Sequence, residues 1–398
     1  MQSSDKELVQ FVVAALAHHG IQKVILSPGS RNAPFAIAFD AHPQIETLVV
    51  HDERAAAFIA LGWAERTQSP VAICCTSGSA CLNYYPALAE AYYRNIPILA
   101  LTADRPAKWI NQGDGQTIVQ REVFKNHTHS YLGFDEDSFV LNTSNKNALQ
   151  QFLAYLSRSW KGPIHINIGL NEPLYGLAAF KQFSFEPQTN KVEPTILPDF
   201  SVLSGKKIMV LVGQMEPNHP FERLLSEFAS WSNVVVLVEN TSNLQNELFN
   251  HCIDRSLNSI DPNDSAFHPE VLLSFGGAIV SKRIKAYLRQ ISLNIHWRIG
   301  FDFPEMNTFG TLSAQLSQDP VEFMRALLQA SLNLQTTNFK GKWKAVDYKA
   351  KDRLAQFTSS VQHLHDFDVF QALQATLEGP LNLHLANSSV VRYAQLFD

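Results

Sequence analysis

Glu53 follows a hydrophobic run, Thr47 to Val50, that stops at His51-Asp52, and an Ala-rich helical pattern begins at Arg54. An acid at the C-terminal end of a strand stands where open α/β sheets place their ligands, and a carboxyl group there can hold or pass a proton. The same position also suits a plain helix N-cap or first-turn acid. Three further corners share the layout. Ser27-Pro28-Gly29-Ser30-Arg31-Asn32 follows an apolar run and opens a helical pattern. Gly29 permits a tight turn, the helix start offers free amides to an anion, and Arg31 can grip a carboxylate with two N–H groups. Cys75-Thr76-Ser77-Gly78-Ser79 ends another run, and Leu101-Thr102-Ala103-Asp104-Arg105-Pro106 a further one. Singly these read as ordinary turns and a solvated Asp–Arg pair. Together they put polar corners on one sheet edge, which is a cleft.

Lys282-Arg283 follows Gly276-Gly277 in the first turn of a helical pattern. Cations there oppose the helix dipole by ~0.3–1 kcal/mol. The placement either builds an anion site or is an exposed basic helix start. Ser388 and Arg392 are four apart and so share a helix face. Two other features carry no chemistry. His127-Thr128-His129 has no further ligands at metal-site spacing, and Val210-Leu211-Val212-Gly213 lacks the rest of a dinucleotide fingerprint.

The elements that position these corners alternate. Strand-like runs occur at Lys23–Leu26, Thr47–Val50, Val71–Cys75, Ile98–Leu101 and Pro163–Ile168, with helical patterns at Asn32–Asp40, Arg54–Thr67, Ser79–Tyr93 and Asn147–Trp160. Ser4 and Glu7 read as a capping box opening an earlier helix that Gly20 closes. Alternation of this kind predicts βαβ units and parallel sheets. A second block has strands at Lys207–Val212, Val234–Val238, Val271–Phe275 and Leu293–Trp297. The expected fold class is α/β, with two doubly wound, mainly parallel-sheet domains and the start of a third. The expected domains are 1–177, a linker 178–205, a Rossmann-like central domain 206–332, a linker 333–345, and 346–398. In the last of these a strand at Leu381–Ala386 and a helix opening at Asn387-Ser388 read as the first βα unit of a third domain.

With 398 residues, 45% of them hydrophobic, the chain can build two or three domains with ample core. Its net charge of −5 and lack of a basic tract point away from nucleic acid. No apolar run approaches the ~20 residues of a membrane span, and residues 1–6 do not resemble a signal peptide. Four cysteines, with Cys74 and Cys75 adjacent, give neither a disulfide framework nor a CxxC pair, so a reduced, cytoplasmic protein is expected.

With SPGSRN (27–32), HDERAAAF (51–58), TSGSACLNYYPALAEA (76–91), LTADRP (101–106), GQTIVQ (115–120), NEPLYG (171–176), the SKR of 281–283 and NSSVVR (387–392), the chain resembles the thiamin-diphosphate-dependent enzymes. Within them it is most similar to the branch that decarboxylates 2-oxoglutarate and adds the product to isochorismate in menaquinone biosynthesis. The resemblance spans nearly the whole chain. It implies that Glu53, the expected catalytic residue, hydrogen-bonds the aminopyrimidine ring of the cofactor from an apolar cleft. It further implies that Ser30, Thr76, Ser77 and Gly78 line the cofactor site. Arg31, Arg105, Gln116, Lys282, Arg283, Ser388 and Arg392 are implied to hold the carboxylate-rich substrates. Mg2+ or Mn2+ is implied with the diphosphate, though with no metal ligand in this chain: Gly113-Asp114-Gly115 imitates the metal motif without a preceding buried strand or the paired asparagines. A homodimer or homotetramer is implied, with each site shared between subunits and this chain supplying only part of it. Two alternatives remain: a non-catalytic anion-binding or dimerising module, and another thiamin-dependent 2-oxoacid decarboxylase.

Overall fold

A computed structural model describes residues 2–157, 162–185, 197–301, 305–360, 365–379 and 381–397. They form two compact units, 1–193 and 194–398. The end of the helix expected at Asn147–Trp160 and the middle of the first expected linker (186–196) lie outside the described residues.

In the first unit the elements run β1 (Gln2–Ser4), α1 (Glu7–His18), β2 (Lys23–Leu26), α2 (Ala33–Asp40), β3 (Glu46–Val49), α3 (Glu53–Thr67), β4 (Val71–Cys75), α4 (Tyr85–Arg94), β5 (Ile98–Asp104), β6 (Tyr131–Asp135), α5 (Thr143–Leu153), β7 (Ile164–Gly169) and β8 (Leu177–Ala179). Six strands form one parallel sheet in the order β3-β2-β4-β5-β7-β6. Every residue of β4, β5 and β7 is buried, because helices cover both faces. Residues of α1, α2 and α5 pack one side, around Phe11, Phe35 and Phe152. The small residues Ala56, Ala57, Ala60 and Ala64 let α3 lie close against the other side. From β2 the chain moves outward to β3, then returns past β2 to β4. The switch point of the sheet is therefore the gap between the C-terminal ends of β2 and β4.

Two details differ from the sequence expectation. Ser4 is not a helix cap with Glu7. It lies in β1, which pairs antiparallel with β8, and Lys6 occupies the cap position of α1. The Ser4 hydroxyl still accepts from the Lys6 amide at 3.2 Å. The edge strand β6 was not expected; its Tyr-Leu-Gly-Phe-Asp run is only half-buried and carries no clean alternation.

The second unit comprises β9 (Ile208–Val212), α6 (His219–Ala229), β10 (Val234–Val238), α7 (Ile253–Leu257), β11 (Val271–Phe275), α8 (Lys282–Gln290), β12 (Ile295–Ile299), β13 (Ala314–Leu316), α9 (Pro320–Gln329), α10 (Phe339–Ser360), α11 (Asp366–Thr376) and α12 (Ser389–Ala394). Its five parallel strands follow the order β10-β9-β11-β12-β13, again doubly wound. Of residues 333–345, read as a linker, only 333–338 are irregular; from Phe339 the chain opens α10 and buries Phe339 and Trp343 in the core beside Leu272 and Leu288. The strand expected at Leu381–Ala386 does not form. No described strand lies beside it to complete a ladder, and Leu381 and Leu383 stay exposed.

Candidate active site

Four neighbouring parallel strands, β3, β2, β4 and β5, deliver the four corners to one edge of the first sheet. At the switch point the corners after β2 and β4 touch. A Cβ on Gly29 would lie 2.4 Å from the Thr76 Cβ, so only glycine allows this approach. The Arg31 amide donates to the Thr76 hydroxyl at 3.2 Å.

At the neighbouring corner Asp52, not Glu53, caps α3: its carboxylate accepts the Ala55 amide at 2.7 Å. Glu53 is the first helical residue, half-buried, and its carboxylate makes no hydrogen bond or ion pair with a described residue. A carboxylate relieved of capping and left without a partner at a strand end is available to a ligand.

Arg31 is 6% exposed and already engaged. It donates to the Leu170 carbonyl at 2.9 Å and to Glu172 at 3.2 Å, while its buried Nε has no hydrogen-bond partner among the described residues. Ser30 is exposed, with its side chain free for a ligand. Ser77 accepts from the Arg105 guanidinium at 2.7 Å. The same guanidinium donates to the Gln116 carbonyl at 3.0 Å and pairs with Asp114 at 2.5 Å. Gly78, with φ +86°, backs onto that carbonyl, and its amide donates to Gln120 at 2.7 Å. The segment 107–119 is thus folded onto the β4 corner. Thr76, Ser77 and Gly78 serve first to join the corners, and the set-aside Asp114 proves to be the ion-pair partner of Arg105. The Gln116 side chain is exposed.

Beneath these corners runs a buried polar chain. Asp104 accepts the Arg105 amide at 2.8 Å and Asn167 at 2.9 Å, and burial raises its carboxyl pKa. Asn167 accepts from Thr102 at 2.6 Å and from Gln120 at 2.9 Å. Because the single Thr102 hydroxyl proton is used there, His165 Nε2, 2.8 Å from Thr102, must be the donor and His165 the Nε2–H tautomer. His165 is fully buried, which lowers its pKa to about 3; burial likewise lowers His296, in the second unit, to about 4. Both stay neutral in the folded chain at pH 5, whereas the unfolded chain takes up protons below its ordinary value of 6.5. Stability is therefore full above about pH 6.5 and is lost toward the lower folded values, by up to ~1.4 kcal/mol per pH unit per histidine. Urea midpoints at pH 7 and pH 5 check this: a clear fall at pH 5 is expected, and equal midpoints would contradict it.

In the second unit Lys282 and Arg283 occupy the first turn of α8, both exposed and neither paired with a described residue. Arg392 is exposed in the last turn of α12. Ser388 is the residue before that helix, with φ +76°, so it does not share a helical face with Arg392 as the four-residue spacing suggested. His127 and His129 pack among Tyr85, Tyr92 and Tyr93. Among the described residues no group of three or more His, Cys, Asp or Glu could hold a metal ion, and no helix is long and apolar enough to cross a membrane.

Residues 6–128 match the family described as thiamine pyrophosphate enzyme, N-terminal TPP binding domain. The chain is similar to the 2-succinyl-5-enolpyruvyl-6-hydroxy-3-cyclohexene-1-carboxylate synthase of Flavobacterium johnsoniae, 39% identical over 402 residues that cover 98% of this chain and 71% of that protein. The synthases of the same name from Flavobacterium psychrophilum (35% identical, 98% and 71% covered) and Desulfotalea psychrophila (36%, 96% and 72%) are similar over the same extent.

Proposed function

Because this chain belongs to the 2-succinyl-5-enolpyruvyl-6-hydroxy-3-cyclohexene-1-carboxylate synthase family, we propose that it serves the thiamin-diphosphate-dependent decarboxylation of 2-oxoglutarate and the addition of the remaining four-carbon unit to isochorismate, in menaquinone biosynthesis. It is a thiamin-diphosphate-dependent transferase. The observation that carries the reading is Glu53, an unpartnered acid at a strand end beside the switch point.

When bound, thiamin diphosphate supplies the electron sink that lets the bond to the departing carboxylate break. Glu53 holds a proton against the aminopyrimidine nitrogen of that cofactor, and Ser30 lies at the next corner. Thr76, Ser77 and Gly78 keep the β4 corner in register with the β2 corner and with Arg105. Both substrates are multiply charged anions, so cations must replace their hydration. Arg105 and Arg31 meet carboxylates by exchanging Asp114 and the largely exposed Glu172 for substrate. Gln116 adds a polar contact. Lys282, Arg283 and Arg392 are the cations that the second unit contributes, and Ser388 adds a neutral hydroxyl. Their pairing with substrate needs no displacement, since none of the three cations is engaged by a described residue.

Mg2+ or Mn2+ accompanies the diphosphate in this reading, and no described residue is assigned to it. A homodimer or homotetramer is supported by the exposed apolar residues Leu48, Val49, Phe58, Ile59 and Leu82, which lie on β3, on α3 and after β4. The assigned place of action is the cytoplasm, consistent with reduced Cys74, Cys75, Cys81 and Cys252. The test is incubation of the full-length gene product with cofactor, Mg2+, 2-oxoglutarate and isochorismate. Joint consumption of both substrates with release of carbon dioxide is expected. Release from pyruvate with isochorismate untouched would overturn the proposal.

A further inference from the structure

Glu239 directly follows β10 and is 2% exposed, yet its carboxylate meets no cation side chain at ion-pair distance among the described contacts. Its two oxygens accept the backbone amides of Val280 at 2.8 Å and Ser281 at 2.7 Å, 41 and 42 residues away in sequence. In the strand order β10-β9-β11, this side chain reaches past the end of β9 to the segment that leads from β11 into α8. The Glu239 backbone is itself fixed, its amide donating to the Ser242 hydroxyl at 3.0 Å, which donates to the Val212 carbonyl at 2.6 Å.

The segment 276–281 is held at further points. Gly277 donates to the Gln214 carbonyl at 2.6 Å, and Lys285 Nζ donates to the Ile279 carbonyl at 2.9 Å. Ser281 caps α8 by accepting the Ile284 amide at 3.1 Å and donates its hydroxyl proton to Asp254. Two carboxylates, Glu239 and Asp254, therefore stand at the start of α8, where a helix favours negative charge. They offset the unfavourable placement of Lys282 and Arg283 in its first turn. They do so through the backbone and the Ser281 hydroxyl, so the two cationic side chains stay unpaired for an anion.

We propose that Glu239 is a positioning residue for the substrate-binding cations: its buried carboxylate fixes the Val280–Ser281 backbone and thereby the direction of Lys282 and Arg283. This rests on the reading that those cations hold a substrate carboxylate. Burying a carboxylate to satisfy two amides that water could satisfy is otherwise unfavourable. Glu239→Gln keeps the shape but offers an amide N–H where a backbone N–H needs an acceptor.

Steady-state kinetics of the full-length gene product separate the possibilities. The double variant Lys282→Ala/Arg283→Ala first identifies which substrate these residues hold, by the KM that rises. Glu239→Gln is then expected to raise the same KM by roughly 10- to 100-fold, leaving kcat and the other KM unchanged. In the Lys282→Ala/Arg283→Ala background it should add little. Ser281→Ala, which removes the cap without touching the buried charge, carries the same expectation if Glu239→Gln does not fold. A KM that rises on charge removal but not with Glu239→Gln or Ser281→Ala overturns the positioning role alone. Uniform loss across both substrates and kcat also overturns it, because that marks general damage. If charge removal leaves both KM values unchanged, the assignment of Lys282 and Arg283 falls, and this proposal with it.

Discussion

Replacing Glu53 with Gln is expected to lower kcat of the full-length gene product by roughly 10²–10⁴-fold, with thiamin diphosphate still bound. The separation of activity from stability follows from the corner itself. Asp52 supplies the cap of α3, so the helix keeps its hydrogen bond to the Ala55 amide in the variant. Glu53 makes no hydrogen bond or ion pair with a described residue that the substitution would break. The only structural loss is one acid in the first turn, ~0.3–1 kcal/mol of dipole interaction. Gln can still accept or donate one hydrogen bond to the cofactor ring, but it cannot carry the proton. Thermal denaturation close to wild type, together with lost turnover, is the expected pair of results. A variant that turns over normally would remove Glu53 from the chemistry.

Arg105→Ala carries the second large effect. The guanidinium, 13% exposed, ties Ser77, the Gln116 carbonyl and Asp114 together. Removing a largely buried cation from its charged partners costs about 2–5 kcal/mol in comparable pairs, or ~30-fold and upward in KM. Arg105→Lys is not expected to rescue, because an ammonium cannot span Ser77, Gln116 and a carboxylate at once. The segment 107–119 also loses its tether at Asp114 and Gln116, though Ala107 and Lys108 stay held by Asp135 and Asp137, so faster limited proteolysis around 112–119 should accompany the rise in KM. Asp114→Asn gives the complementary check. If substrate must displace Asp114, weakening that pair lowers KM; an unchanged KM shows that Arg105 engages substrate without giving up Asp114.

The corners at 29, 53, 76 and 105 were readable in the sequence because each joins a buried run to a helical pattern, and parallel order follows from that alternation. Fully buried runs such as Val71–Cys75 and Val234–Val238 lie at the expected residues, since nothing but a strand between two helical layers suits them. The three-residue strands β1, β8 and β13 are too short to show a period. The polar stretch 333–345 hid a helix start whose signal is the four-residue spacing of Phe339 and Trp343, both buried. At the site, residue types were legible but their partners were not. Nothing local in Asn-Gln-Gly-Asp-Gly assigns Asp114 to Arg105. Gln120 and Glu239 meet backbone amides some forty residues distant, a pairing that only the closed sheet creates. The cap at the α3 corner could be assigned only once the Asp52 carboxylate was seen on the Ala55 amide.

The most direct measurement is the rate at which the C2 proton of bound thiamin diphosphate exchanges for deuterium, in the wild-type full-length gene product and in Glu53→Gln at saturating cofactor. If Glu53 is the proton partner of the aminopyrimidine ring, exchange slows by roughly 10²-fold or more in the variant while the cofactor remains bound. Equal exchange rates in the two proteins would contradict that role.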